Sequence, residues 1–353
     1  MSELVNKEKM NEIFAKLDKA SSVGILVHPS PDPDALGAAA GFSMLLRKVY
    51  GLNSKIFYLG TISHPQNKSL KNVLHIALED GKTFNPESVA ATVVLDTDLT
   101  GTGLKDDRMQ SADVRIDHHA FDRDEGTKLE DVRPTGATCS IIWNYLKAFE
   151  VEFDGCADTA TAMVLGIKTD TQDFTMANTT ELDMEAFRAL LPFADKTSLA
   201  KVTKYPLPKL YFETEAKALK EKDVKNTTLI TFIGEVTAHN RDVIPTIADR
   251  FVRMDGISTA IIMGIIDNCV VASIRSTDSR VDVDDLCSHT FGRTHAGGKE
   301  GSGGATFPLG PGFELLDGKK TREAALDEVI NKLKEKLFEV LGEKTEEEEE
   351  EKQ

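Results

Sequence analysis

Val23-Gly-Ile-Leu-Val-His-Pro-Ser-Pro-Asp-Pro-Asp-Ala-Leu-Gly37 decides how the chain is read. Val23 to Val27 is aliphatic without alternation, the pattern of a strand covered on both faces. Pro29, Pro31 and Pro33 then end regular structure and fix φ, so His28, Asp32 and Asp34 stand on a stiff loop. From Ala35 to Tyr50, Leu36, Ala39, Ala40, Ser43, Met44 and Arg47 recur at helical spacing, and Asp34 is placed to cap that helix. The stretch therefore reads as a buried strand, a loop of metal-ligating side chains and a helix.

The same pattern recurs along the chain. Thr92-Val-Val-Leu-Asp96 is an apolar run ending in an acid, and Val114-Arg-Ile-Asp-His-His119 is another. Lys55–Leu59 is expected to form a second strand and Pro65–Leu78 a helix. Thr135–Ser140, rich in capping hydroxyls, is expected to open a helix to about Phe149. The small, apolar helix Asp158–Ile167, carrying Ala160, Ala162 and Gly166, is expected to pack close on a sheet and to leave Asp170 or Asp173 at its end. Strands separated by helices indicate a parallel sheet whose carboxyl-end loops carry the site. The fold class is α/β.

Pro192, Pro206 and Pro208 interrupt a helical stretch, 180–222, read as a connector. A second α/β unit follows with a strand at Thr227–Ile233, a helix at Asp242–Met254, and apolar runs at Ser258–Ile266 and Cys269–Ile274. A glycine-dense loop, Gly292–Ala305, and a helix from about Thr321 to Leu341 complete it. The expected organisation is a metal-binding domain at 1–192, a connector at 193–225, a substrate domain at 226–342 and a disordered acidic tail at 343–353.

With 353 residues, 41% of them hydrophobic, the chain can bury the cores of two domains. Its formal charge is −16; seven glutamates against two lysines give the tail −5 and leave −11 for the rest. An acidic body is a poor non-specific ligand for long nucleic acid, whose affinity comes from Lys and Arg displacing counterions. The four cysteines lack C-x-x-C spacing, which argues against a zinc knuckle or disulfide framework and for a reduced, cytoplasmic setting. No run reaches membrane-spanning length, and Met1–Ala20 reads as a charged amphipathic helix rather than a secretion signal.

Gathered at one sheet edge, the loops offer His28, Asp32, Asp34, Asp96, Asp117, His118, His119 and Asp170. Carboxylates with a minority of imidazoles and no thiolate suit Mn²⁺, with Mg²⁺ as substitute. So many donors exceed the needs of one catalytic ion and suggest two, which would also offset the self-repulsion of five aspartates.

These residues resemble the motifs of the DHH phosphoesterase superfamily: His28-x-x-x-Asp32-x-Asp34, the lone strand-end Asp96, Asp117-His118-His119, and Thr169-Asp170-Thr171. Ser273-Ile-Arg-Ser276 followed by the glycine loop resembles its DHHA1 subfamily domain. The resemblance implies one ion on His28, Asp32 and Asp96, and another on Asp34, Asp96, His118 and Asp170, with Asp96 bridging. It implies catalytic roles for Asp117, which would orient a histidine, for His118, and for His119, which would face the substrate phosphate. Arg275, Lys299, Ser302 and the amides of Gly297, Gly298, Gly303 and Gly304 would bind the rest of a nucleotide across a cleft. Lys299 stands where the family usually has histidine, which keeps a cationic contact but loses imidazole chemistry. The activity implied is hydrolysis of short oligonucleotides, RNA or DNA, or of nucleotide phosphomonoesters, as in nanoRNase and phosphoadenosine-phosphate phosphatase members, with a homodimer left open. A RecJ-like single-strand exonuclease and a non-catalytic replication-associated binding protein are the alternatives.

Overall fold

Covering both faces of the strand at Val23–Val27 requires more than one layer, and the computed structural model supplies it. It describes residues 2–104, 111–119, 126–299 and 301–342, with side chains from Asn6 onward and without that of Lys299. The expected acidic tail at 343–353 lies outside the described residues. The chain divides into two compact units between Pro206 and Leu207.

The first unit runs α1 (Ser2–Phe14), β1 (Ser22–Leu26), α2 (Pro33–Leu45), β2 (Asn53–Tyr58), α3 (Pro65–Val73), β3 (Leu78–Asp80), β4 (Ala91–Leu95), β5 (Val114–Asp117) and β6 (Leu129–Val132), followed by α4 (Thr138–Ala148), α5 (Ala157–Asp170), α6 (Glu181–Leu190) and α7 (Lys196–Thr203). The six strands form a parallel sheet in the order β3-β2-β1-β4-β5-β6. Alternate residues of the central strands enter different cores. Ile25 and Val93 join the larger one with Phe42, Ile142 and Met163, while Leu26 and Val94 face Phe57, Phe84, Leu99 and Leu104. This is why these strands read as continuous apolar runs.

Four expectations for this unit change. The helix expected over 65–78 stops at Val73, and Leu78 begins the short strand β3. Asp32, not Asp34, caps α2, its carboxylate accepting from the Asp34 and Ala35 amides at 2.9 and 3.0 Å. Helix α4 receives no cap from its own hydroxyls. Helix α5 packs on α2 rather than on the sheet, backbone to backbone: a Cβ at Gly37 would lie 2.7 Å from the Ala162 carbonyl oxygen, and one at Gly166 would lie 2.9 Å from Asp34 Cα.

The second unit comprises α8 (Lys209–Lys220), β7 (Asp223–Lys225), β8 (Thr228–Glu235), α9 (Val243–Phe251), β9 (Thr259–Ile266), β10 (Cys269–Ser276), α10 (Val283–Phe291), β11 (Ala296–Lys299), β12 (Ser302–Pro308), α11 (Pro311–Glu314) and α12 (Lys319–Val340). Its sheet has the order β11-β12-β10-β9-β8-β7, parallel only between β8 and β9. The stretch 193–225, expected as a separate connector, is shared between the units, α7 lying in the first and α8 in the second. The glycine-dense stretch is an antiparallel hairpin, with Gly297 opposite Gly304 and Gly298 opposite Gly303. Two glycines are small because α10 crosses them: a Cβ at Gly303 would lie 2.6 Å from Val283 Cγ1, and one at Gly298 2.9 Å from the Asp284 nitrogen. No helix among the described residues is long and apolar enough to cross a membrane.

Candidate metal centre

Three of the acidic loops leave the carboxyl ends of the neighbouring strands β1, β4 and β5, so sheet order brings these together, and helix α5 adds the fourth group. His28, Asp32 and Asp34 follow β1, Asp96 follows β4, Asp117 to His119 close β5, and Asp170 ends α5. Asp96 sits at φ 59°, a left-handed backbone that aspartate tolerates better than most residues.

Three donor groups result: His28, Asp32 and Asp96; Asp34, His118 and Asp170; and Asp96, His118 and His119. Within each group the donor atoms lie within 4.8 Å of one another. The Asp96 carboxylate is shared, with Oδ2 3.9 Å from His28 Nε2 and Oδ1 3.6 Å from His118 Nε2. His28 Nε2 is also 4.0 Å from Asp32 Oδ1. His118 Nδ1 lies 3.0 Å from the Thr135 carbonyl oxygen, which assigns the proton to Nδ1 and leaves Nε2 as an acceptor. That Nε2 is buried and lies 3.0 Å from Asp170 Oδ2 without the alignment of a hydrogen bond. A ring nitrogen facing carboxylates across so short a gap suits a cation between them, a proton in the metal-free protein or a metal ion in its place, and the oxygen and imidazole donor set suits manganese or magnesium.

Electrostatics agree. Burial and the neighbouring Asp170 charge push the Asp34 carboxyl up to about 7. Burial, together with Asp34 and Asp32, raises Asp96 well above the usual carboxylate range, and burial and Asp32 raise Asp170. Burial would lower His118, but the Asp170 carboxylate and the Asp34 charge outweigh it and raise it to about 9. Asp32 goes the other way: its desolvation is outweighed by His28 and by the Ala35 and Asp34 amides. A cluster with so many carboxyls pushed upward is short of positive charge.

Asp117 stands beside the donor groups, fully buried. Its Oδ1 accepts from the backbone amides of His118 and His119 at 2.8 and 3.1 Å and lies 2.9 Å from His119 Nδ1. Burial would raise its carboxyl, but the His119 bonds and Arg115 hold it low. Arg115 is fully buried, pairs with Asp117 Oδ2 at 3.1 Å and Glu130 Oε1 at 2.8 Å, and donates from Nε to the Thr97 carbonyl at 3.1 Å. It thereby ties the loop after Asp96 to the Asp117-His118-His119 loop. Sequence reasoning missed it, although a lone charge inside the apolar run Val114–Asp117 was the available signal.

Thr138 and Cys139 were also missed. Their amides donate to the two oxygens of Asp34 at 2.6 and 3.0 Å, so Asp34 closes the start of α4 from another part of the chain. The Thr138 hydroxyl donates to Asp96 Oδ1 at 2.8 Å. Nothing in the local sequence announces either contact, since both partners are distant in the chain.

In the second unit, register places Ser273 opposite Gly304 and Arg275 opposite Ser302 on one sheet face, while Ile274 and Gly303 face α10. Arg275 donates from Nε to Asp249 at 2.5 Å and from Nη1 to the Ser273 hydroxyl and Ile274 carbonyl at 3.0 and 2.9 Å. The Gly298 amide donates to Asp284 Oδ1 at 2.8 Å, so it is committed within the protein and unavailable to a ligand, contrary to expectation. Gly297 and Gly304 are exposed, with room above them: the nearest atom to an added Cβ is at 3.7 and 3.5 Å. The Lys299 side chain lies outside the described residues.

Residues 22–167 match the DHH family, N-terminal domain. The chain is 32% identical over 332 residues to an uncharacterized protein of Methanocaldococcus jannaschii, covering 94% of this chain and 66% of that one. It is 29% identical over 173 residues to a probable manganese-dependent inorganic pyrophosphatase of Lactobacillus gasseri, covering 48% of this chain and 54% of that one. The chain thus spans less than two thirds of the length of either relative. An exopolyphosphatase-related protein from Bacteroides fragilis has a similar fold, with a TM-score of 0.65 at 13% identity over 95% of this chain and 98% of the other. The first unit, built on a six-stranded parallel sheet with its acidic loops at one edge, therefore carries a DHH family N-terminal domain.

Proposed function

We propose that the protein is a manganese-dependent phosphoesterase that binds two ions in the first unit and hydrolyses short oligonucleotides or nucleotide phosphomonoesters. The observation carrying this reading is the divided Asp96 carboxylate, one oxygen toward the His28 group and the other toward the His118 group. His28, Asp32 and Asp96 would hold one ion; Asp34, Asp96, His118 and Asp170 the other. Bound divalent ions supply Lewis acidity, an activated water and compensation for charge developing at phosphorus. The similarity to a probable manganese-dependent pyrophosphatase favours manganese over magnesium.

The chain's own groups supply orientation. Asp117, fixed by Arg115, orients the His119 ring through Nδ1 and leaves Nε2 to meet a substrate phosphate. The second unit would offer a nucleotide-binding surface of its own, with Arg275 and Ser302 beside the open backbone of Gly297 and Gly304, and with Lys299 at the hairpin end. The resemblance of this stretch to a DHHA1 domain would favour nucleotides over pyrophosphate. A RecJ-like exonuclease on long strands is disfavoured by the charge of −16, which gives a polyanion little to bind.

The test is a substrate panel of dinucleotides, longer RNA and DNA, phosphoadenosine phosphate and pyrophosphate, each with Mn²⁺ and after EDTA. Mn²⁺-dependent turnover confined to the shortest oligonucleotides or the monoester is expected. Processive digestion of long DNA, or full turnover in EDTA, would refute the reading.

A further inference from the structure

Asp183 lies in the first turn of α6, fully buried, and belongs to none of the three donor groups. Its Oδ2 accepts from the Thr180 amide and hydroxyl, both at 2.8 Å, from the Thr135 hydroxyl at 2.9 Å and from the Gly136 amide at 2.8 Å. Its Oδ1 accepts from the Ser140 hydroxyl at 2.6 Å. A capping box needs only the Thr180 amide bond and the return bond from the Asp183 amide to the Thr180 hydroxyl, and the hydroxyl's contact with Oδ2 is local as well. The other three reach 43 to 48 residues back, to the segment 135–140.

That segment touches three of the proposed ligands. The Thr135 carbonyl meets His118 Nδ1, the Thr138 and Cys139 amides hold Asp34, and the Thr138 hydroxyl holds Asp96. No other described segment outside the ligand loops bonds His118, Asp34 and Asp96 together. We infer that Asp183 is a positioning residue of the metal centre: by anchoring residues 135–140 it fixes the His118 tautomer and aims the Asp34 and Asp96 carboxylates. Burial would raise its carboxyl, but the Ser140, Thr180 and Gly136 donors more than offset this and keep it an anionic anchor at neutral pH.

The inference rests on the proposed metal reading, and the experiment separates the two. Asp183→Asn keeps shape: its oxygen can face the four donors on the Oδ2 side while its amide faces the Ser140 hydroxyl, which can turn to accept. Thr135→Val is milder, removing one anchor bond and leaving the Thr135 carbonyl in place. Leu190→Ala, in the core at the far end of α6, is the control for plain loss of stability. Mn²⁺ affinity is measured by calorimetry on folded full-length proteins, with the electron paramagnetic resonance spectrum of bound Mn²⁺ as signature.

Asp183→Asn is expected to weaken Mn²⁺ binding about 10- to 100-fold, the range for residues that orient metal ligands, and to alter the spectrum. Thr135→Val should shift both the same way by less, and Leu190→Ala should change neither. Wild-type affinity in both Asp183→Asn and Thr135→Val, or equal weakening by Leu190→Ala, overturns the inference. If Asp183→Asn does not fold, Thr135→Val decides. A wild type that binds no Mn²⁺ overturns the underlying metal reading before any variant is compared.

Discussion

Replacing Arg115 with methionine removes a buried cation of similar length and leaves Asp117 with its charge half answered. Both side chains of the Arg115–Asp117 pair are fully buried, whereas Glu130 is 13% exposed and can recover some water. Breaking a buried pair from one side costs about 3–5 kcal/mol, because the surviving charge stays desolvated. Asp117 keeps three donors on Oδ1, and the methionine restores apolar packing, so the lower end applies, about 3 kcal/mol. For a unit of this size that is a melting temperature lower by about 6–12 °C. The assay is urea unfolding of wild type and Arg115→Met in EDTA, so that metal does not mask the difference. Arg115→Lys, which keeps charge but cannot reach Asp117, Glu130 and the Thr97 carbonyl together, should fall between them. A loss under about 1 kcal/mol would show that the pair adds nothing beyond a surface contact and would remove Arg115 from the account.

Further outcomes are expected. In metal-free protein, Asp34, raised to about 7, and His118, raised to about 9, both bind protons more tightly folded than unfolded. Stability should then fall as pH rises from about 4 through 9, and denaturant midpoints at pH 5 and pH 8 in EDTA check the sign. Because loading expels those protons, Mn²⁺ affinity should rise over the same range; equal affinity at both pH values would count against proton-coupled binding. Asp96→Asn keeps a residue that accepts the left-handed backbone at φ 59°, so circular dichroism should be unchanged while Mn²⁺-dependent hydrolysis drops more than about 100-fold. Gly303→Ala should destabilise the second unit by about 1–3 kcal/mol through collision with Val283 and Cys287. Gly304→Ala, with 3.5 Å of room, should leave its melting unchanged while weakening nucleotide binding, as a dinucleotide titration would show.

The parallel sheet was legible because each ligand loop follows an apolar run. A strand buried on both faces must be uniformly apolar, and its polar residues collect at the end. Val23–Val27 and Val93–Leu95 obey this, and Val114–Ile116 does so apart from Arg115; seven of the eight expected side chains fall into the three donor groups, with Asp117 beside them and Asp170 arriving from the end of α5. Short edge strands were not legible: β3 is three residues long, and Leu129–Val132 carries two acids in four positions. The glycine stretch misled because glycine is common in turns, whereas here Gly298 and Gly303 answer to the close passage of α10. The supporting groups were hidden for another reason. Arg115, Thr138 and Asp183 act through partners up to 104 residues away, and hydrogen bonding across such distances leaves no periodicity in the chain.

Asp34 is at once a proposed ligand and the peg on which α4 is seated, whereas His28 and Asp170 keep 26% and 19% of their side chains in solvent and hold up no helix. The two kinds of ligand have different fates under relaxed selection. A descendant that abandoned catalysis could shed His28 or Asp170 with little harm to its architecture, but it would have to keep the aspartate after Pro33. The acid that outlives the chemistry in such a lineage would be the one doubling as masonry.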